Sequence, residues 1–106
     1  MKRYKVFRSE RFNRELNKHE RILLDYVDNL EEKLAENPYT GKPLGLNWFR
    51  EKKLDKYRIY YLIYEDLDSV FMAAISEKKD QQKVINTIRL LLEYFKEELR
   101  RLLEKR

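Results

Sequence analysis

The segment KYRIYYLIYE, residues 56–65, is rich in aromatic and β-branched residues, a composition that favours a β-strand. Successive side chains of a strand point to opposite faces of the sheet. Alternation therefore separates two sets of side chains, Tyr57, Ile59, Tyr61 and Ile63 on one face and Lys56, Arg58, Tyr60, Leu62 and Tyr64 on the other. The first set is predicted to face the core, whereas the second begins with basic residues and continues with aromatic ones.

Two further strands are predicted beside this one. WFREKKL, residues 48–54, precedes it, and SVFMAAISE, residues 69–77, follows it. The links at 54–56 and 66–69 are short enough for hairpins. The three strands are therefore predicted to form an antiparallel meander.

The first part of the chain predicts one strand and two helices. YKVF, residues 4–7, alternates like a short strand. Ser9 is a suitable N-cap for a helix over about 10–18, and apolar residues at helical spacing predict a second helix over about 21–36. The proline- and glycine-rich segment 37–45 is predicted to be a loop that ends this second helix.

From Asp80, a candidate N-cap, the rest of the chain is predicted to be one long helix with an apolar stripe from Val84 to Leu103. We expect a single α+β domain over residues 1–106 with the order β-α-α-β-β-β-α. It would be a small antiparallel sheet with a helical hairpin on one face and a long C-terminal helix. The stripe is longer than such a sheet can cover, so its far end is expected to contact a partner.

The charges of the chain form zones. The net charge is +5, and residues 42–60 hold six Lys/Arg against two acids, while residues 76–89 hold four against two. Such zones suit a polyanion such as RNA or DNA. The alternative is a charged surface of the kind that thermophile proteins carry, since 41% of the residues are charged. No cysteine and no apolar run of about 18 residues occur, so neither disulfides nor a membrane span is expected, and a cytoplasmic location is the default.

Residues for conventional catalysis are scarce. His19, the single histidine, lies in a polar break and is expected to be a surface or capping residue. No phosphate-loop or nucleophile motif occurs, and we expect neither a metal nor a cofactor. Lys, Arg, Tyr and Glu remain as acid–base groups. They suit RNA cleavage by the 2′-hydroxyl, which needs a base, a positive charge at the phosphorane and a proton for the leaving oxygen.

The ordered motifs of the chain resemble those of the RelE/ParE superfamily, the toxins of bacterial and archaeal type II toxin–antitoxin systems. The middle strand of that superfamily commonly reads Tyr-Arg-aliphatic-x-Tyr, and residues 57–61 read Tyr-Arg-Ile-Tyr-Tyr. Its next strand is apolar and is followed by a basic turn and a helix, which residues 70–79 match. The loop NPYTGKPL, residues 37–44, resembles the family's loop before the second strand. The resemblance covers nearly the whole chain.

The resemblance implies a ribosome-dependent mRNA endoribonuclease, an mRNA interferase with a basic and metal-independent site. Arg58 falls on the contact to the scissile phosphate, Lys53 on a general base or phosphate contact, and Lys78 on the basic residue after the last strand. Substrate binding is assigned to five neighbouring side chains: Arg50, Lys52, Lys56, Tyr60 and Lys79. The expected partners are a cognate antitoxin, the ribosome and mRNA, with no membrane, and a homodimer through the C-terminal helix is left open.

Two departures from the family pattern leave the chemistry open. Glu51 stands where a second lysine is expected, so that either the register shifts or the general base is altered. The late tyrosine of some RelE enzymes falls at Val84 or Ile85. The alternatives are a ParE-like toxin that inhibits DNA gyrase, or a non-catalytic RNA- or protein-binding module on the same scaffold.

The candidate site residues also have structural interpretations. Arg58 is alternatively the partner of a strand acid such as Glu51. The lysines are alternatively a solvated surface, and Tyr60 alternatively packs under the last helix.

Overall fold

The structure, a computed structural model, describes residues 2–105. The strands within this range are β1 (Lys5–Arg8), β2 (Lys42–Leu46), β3 (Phe49–Leu54), β4 (Tyr57–Tyr64) and β5 (Ser69–Glu77). The helices of the same range are α1 (Glu10–Leu16), α2 (Arg21–Glu36), α3 (Gln81–Leu90) and α4 (Leu92–Glu104). None of these described helices is both long enough and apolar enough to cross a membrane.

The strands form one sheet in the order β1-β5-β4-β3-β2. β3, β4 and β5 are the predicted antiparallel meander. β1 lies at the other side of β5 and runs parallel to it. The α+β class and the main order of elements are confirmed, but the sheet is mixed rather than purely antiparallel. The sheet is mixed because α1 and α2 carry the chain from β1 at one edge across a face of the sheet to β2 at the opposite edge. The antiparallel strands then lead back to β1, and the last of them, β5, lies parallel to it.

Segment 37–45 is only partly the predicted loop. Its second half is β2, in which Lys42 lies opposite Glu51 of β3 and Pro43 lies opposite Arg50. An edge strand tolerates proline because one row of its backbone N–H groups faces away from the sheet. Gly45, with a φ of +87°, lies where the register of the pair shifts. Proline and glycine therefore marked an irregular edge strand as well as a loop.

The predicted C-terminal helix is broken at Leu91. The N–H of Leu91 bonds to the carbonyl oxygens of Thr87 at 3.1 Å and Ile88 at 3.0 Å, which tightens the last turn of α3. Ile88 before the break and Phe95 after it are both buried in one cluster on the sheet. The prediction of one continuous helix is therefore wrong. The sequence gives no sign of the break, because no glycine or proline marks it and the apolar stripe runs through it.

Both faces of the sheet are covered. α1 and α2 cover the face that carries Ile59, Tyr61 and Ile63 of β4, which confirms the predicted core face. α3 and α4 cover the middle of the other face, where Tyr60 and Leu62 are fully buried. The polar side chains of this second face therefore lie towards the end of β4 at which Arg58 is found.

Ser9 is the predicted N-cap of α1. Its Oγ accepts the N–H of Phe12 at 2.9 Å and donates to the carbonyl oxygen of Ala73 at 2.9 Å. Ala73 is a bulge in β5, since Ala74 and Met72 on either side of it pair with consecutive residues of β4. The cap therefore fastens the start of α1 to the bulge. Asp80 occupies the predicted N-cap position of α3, but its side chain makes no capping hydrogen bond within residues 2–105.

Candidate functional site

The register of the sheet brings together three basic residues that the sequence singles out. Arg58 of β4 lies directly opposite Lys53 of β3 on one side and Ser76 of β5 on the other. Lys78 follows β5, and its backbone N–H donates to the carbonyl oxygen of Lys56 at 2.7 Å, which keeps it beside the start of β4. We call Lys53, Arg58 and Lys78 the Arg58 cluster.

Arg58 is held by backbone groups and pairs with no acid of the described range, residues 2–105. It is only 5% exposed, and its Nη1 donates to the carbonyl oxygens of Asp55 and Tyr57, each at 2.9 Å. Its Nε and Nη2 make no hydrogen bond within residues 2–105, yet neither is sealed from solvent. The expectation of a salt bridge to Glu51 is wrong. Arg58 is a fixed guanidinium whose remaining donors are free to meet an oxyanion.

The lysines around Arg58 are exposed. Lys53, Lys78 and Lys79 reach solvent and form no ion pair within the described range. Lys78 and Lys79 stand on a short 3-10 turn between β5 and α3. The positive charge beside Arg58 is therefore available to a ligand.

Of the other predicted substrate-binding lysines of this hairpin, Lys52 lies on the face opposite the Arg58 cluster, whereas Lys56 adjoins the cluster through its backbone bond to Lys78. Lys52 pairs with Ile59, whose side chain faces α1 and α2, so Lys52 points to the opposite face from Lys53. Lys56 is exposed and its Nζ lies 5.4 Å from the centre of the Tyr57 ring. His19 meets the same ring edge-on, with the ring centres 4.9 Å apart.

Glu51 and Gln81 form a polar pair beside the Arg58 cluster. Glu51 is 6% exposed and lies on β3 opposite Tyr60. Both of its carboxylate oxygens accept from Nε2 of Gln81, at 2.8 and 3.1 Å. Gln81 is the first residue of α3, and no sequence signal connects it with β3 because the two are joined only by the way α3 crosses the sheet.

Tyr60 has no surface to offer a nucleotide base. It is fully buried, and its hydroxyl shares a 2.8 Å hydrogen bond with Oγ of Ser76. Burial is the main cause that raises the pKa of Tyr60, and the charge of Glu51 adds to it. Its burial in the cluster under α3 and α4 favours the packing alternative, and the prediction that Tyr60 binds substrate stays untested.

Arg50 is also committed to the fold. It is 8% exposed, and its guanidinium donates to the carbonyl oxygens of Asn47 at 2.8 Å, Tyr39 at 2.9 Å and Gly41 at 2.7 Å. It also donates to the side-chain oxygen of Asn47 and lies 5.1 Å from the centre of the Tyr39 ring. Arg50 ties the two turns around β2 to β3, and its role in substrate binding stays a prediction.

The start of α3 supplies no catalytic side chain at the position of the late tyrosine. Ile85 is buried in the cluster under α3 and α4, and Val84 packs against the same cluster. The acid–base groups at the site are therefore those of the Arg58 cluster, Lys79 and Glu51.

Solved structures share this fold. No protein-family model and no curated protein matches the chain. It is 26% identical to a chain of the toxin–antitoxin complex RelBE2 from Mycobacterium tuberculosis, with a TM-score of 0.62 and coverage of 73% of this chain and 93% of that one. The fold of the chain is RelE-like.

Two further matches establish the fold alone. A mutant of the E. coli toxin RelE in the free state gives a TM-score of 0.71 at 17% identity, covering 84% of this chain and 98% of that one. The archaeal RelE–RelB complex from Pyrococcus horikoshii gives 0.52 at 18% identity, covering 73% and 96%. The matched chains thus fit almost whole within this fold, which confirms the fold that the resemblance implied.

Proposed function

We propose that this chain is the toxin of a type II toxin–antitoxin system and that it cleaves mRNA on the ribosome. The RelE-like fold and the 26% identity to a chain of a toxin–antitoxin complex support a toxin. The observation that carries the RNA assignment is Arg58, a guanidinium fixed by two backbone carbonyls with free donors and no acidic partner. A buried arginine without a carboxylate is costly unless a ligand anion completes its contacts.

The Arg58 cluster would supply the groups that are needed to cleave RNA by attack of its 2′-hydroxyl on the neighbouring phosphate. The Arg58 guanidinium would contact the scissile phosphate and balance the charge that grows on the phosphorane. Lys53, directly opposite on β3, would take the proton of the attacking 2′-hydroxyl in its neutral amine form, which neighbouring cations favour. The ammonium group of Lys78 would supply the proton to the leaving 5′-oxygen. Lys79 would add positive charge for neighbouring phosphates.

The proposed partners follow from the same assignment. The matched structures include toxin–antitoxin complexes from Mycobacterium tuberculosis and Pyrococcus horikoshii. We propose that a cognate antitoxin neutralises this chain, and that ribosome-bound mRNA is its target. Because the lysines of the Arg58 cluster are open to solvent, the protein would otherwise act whenever translation proceeds.

One observation favours a second candidate, in which the chain binds RNA and blocks translation without cutting. Glu51 occupies the position of the second lysine, and its carboxylate is buried and held by Gln81 rather than free to act as a base. Lys53 would then be the sole base. A non-cutting protein predicts arrest of translation with intact mRNA and RNA binding that weakens steeply with salt.

Induced expression in bacteria separates these functions and the gyrase-directed alternative. The parent is expected to arrest growth and to leave cleaved transcripts, whereas Arg58→Ala relieves both. Lys52→Ala is the matched control, because it removes a basic side chain of the neighbouring strand β3 that points to the opposite face of the sheet. Arrest with intact transcripts and with inhibition of purified DNA gyrase in a supercoiling assay would replace the proposal with the ParE-like function.

A further inference from the structure

An open cavity of about 750 Å³ lies at the end of β4 far from the Arg58 cluster. Its walls come from the residue before β3, the end of β4, the turn that follows and the start of α4. The lining side chains include Trp48, Tyr64, Asp66, Glu93 and Lys96. Arg58 and Tyr64 lie about 20 Å apart at the rise of a strand. The cavity is therefore separate from the proposed RNA site.

Trp48 supplies an aromatic wall. The residue is 37% exposed, although tryptophan is mostly buried in folded proteins. Its carbonyl oxygen accepts the N–H of Ile63 at 2.8 Å, which fixes its backbone against the end of β4. Of the aromatic side chains, tryptophan attracts a cation to its ring face most strongly. The backbone of Trp48 is thus fixed, and more than a third of the residue's surface stays exposed.

Tyr64 and two carboxylates converge on the same cavity. The Tyr64 hydroxyl makes no hydrogen bond within residues 2–105 and remains open to solvent. Burial raises the pKa of Tyr64, and the nearby charges of Glu93 and Asp66 raise it further. Neither carboxylate has a hydrogen bond or an ion pair in the described range. The site therefore presents unpaired negative charge beside an exposed ring.

Glu65 also lines the cavity, but its charge is already compensated. Its carboxylate accepts from Nζ of Lys2 at 2.6 Å and from the hydroxyl of Tyr4 at 2.6 Å, and it also binds the hydroxyl of Tyr39. Lys96 is the one basic residue of the lining. Two unpaired carboxylates thus face one lysine, which leaves the cavity acidic on a chain of net charge +5.

We propose that this cavity binds an arginine side chain of a partner protein. A guanidinium is planar, so it can stack on the Trp48 ring while its N–H groups donate to the carboxylates of Glu93 and Asp66. The Tyr64 hydroxyl is placed to accept a further hydrogen bond. Nucleic acid is excluded as the occupant, because its phosphates would be repelled by the two carboxylates.

The fluorescence of Trp48 reports binding directly, because it is the single tryptophan of the chain. The purified protein is titrated with N-acetyl-arginine amide and with the neutral isostere N-acetyl-citrulline amide. We expect a saturable change in emission with the arginine probe, and affinity at least about fivefold weaker for citrulline, since a cation–π contact and exposed ion pairs each contribute modestly. Equal responses to the two probes, or no saturation with arginine, would overturn the proposal.

A matched pair of variants on α4 tests the carboxylate. Glu93→Gln is expected to weaken binding of the arginine probe by about fivefold, whereas Glu97→Gln, exposed on the same helix but outside the lining, leaves it unchanged. Circular dichroism checks that both variants fold. Arg58→Ala is expected to bind the probe like the parent, which separates this site from the proposed RNA site. Tighter binding of spermidine than of the arginine probe would assign the cavity to a free polyamine and overturn the protein partner.

Discussion

Replacing Tyr61 by phenylalanine tests the contact that fixes the loop before β2. Tyr61 is fully buried, and its hydroxyl donates to the carbonyl oxygen of Pro38 at 2.7 Å and accepts the N–H of Gly41 at 3.0 Å. Tyr61→Phe would leave both backbone groups, the Pro38 carbonyl and the Gly41 N–H, buried without a hydrogen-bond partner. Each unsatisfied group costs about 1–3 kcal/mol, so we expect the free energy of unfolding to fall by about 2–6 kcal/mol. That is a large share of the stability of a small domain.

Urea denaturation followed by circular dichroism measures this change. Tyr26→Phe is the control, because Tyr26 is half-buried on α2 and its hydroxyl has no hydrogen bond within residues 2–105. We expect the control to change the free energy of unfolding by less than about 0.5 kcal/mol. If the two variants lose the same stability, the hydrogen bonds of Tyr61 do not hold the loop and the reasoning is refuted.

Three further changes test the packing and the charges. Gly41→Ala should lower the free energy of unfolding, measured in urea, by about 1–3 kcal/mol. The new Cβ would lie only 2.5 Å from the Tyr61 hydroxyl and 2.7 Å from the carbonyl oxygen of Glu51. An unchanged free energy of unfolding would contradict this close approach. Glu51→Gln should tighten binding of single-stranded RNA by up to about tenfold at low salt, because it removes a negative charge beside the proposed phosphate site; unchanged binding would argue against RNA there. Lys2 and two tyrosine hydroxyls hold the pKa of Glu65 at about 2 instead of 4.5, so its ionised form stabilises the fold above pH 4.5 and the stabilisation is lost as the pH falls towards 2. The free energy of unfolding of Glu65→Gln should therefore lie below that of the parent at pH 6 and approach it near pH 2, and a gap that widens in acid would contradict this coupling.

The helices and strands predicted from the spacing of apolar residues are correct where that spacing matches the face that packs in the core. Residues 21–36 have apolar side chains at helical spacing and form α2 at those bounds. The alternation in 56–65 correctly separated the core face of β4 from the face that carries Arg58. Ser9 could be identified as a cap because it bonds to its own helix.

The remaining features depend on contacts between distant parts of the chain. β2 exists because β3 supplies hydrogen bonds to an irregular segment, and nothing in its own composition indicates a strand. The break at Leu91 follows from the fit of two helices on one sheet face. In both cases the local sequence permits more than one structure, and tertiary packing selects among them.

The same distinction applies to the candidate site. Arg58 and Lys53 lie within one hairpin, so strand alternation was enough to bring them together. Tyr60 lies on the same face of β4 as Arg58, but it is covered by α3 and α4, which alternation does not reveal. The guanidinium of Arg50 donates its hydrogen bonds to the turns around β2, and Glu51 is bonded to Gln81 on α3. Strand alternation does not reveal either contact.

The cleavage of mRNA in a translating lysate tests the proposed role of Arg58 most directly. Purified parent protein is added with a defined transcript, and the cut sites and rates are read by primer extension. We expect cleavage by the parent, a loss of about 10²–10³-fold in rate for Arg58→Ala, and a rate close to that of the parent for Lys52→Ala. Cleavage by Arg58→Ala at the rate of the parent would contradict the assignment of the scissile phosphate to the Arg58 guanidinium.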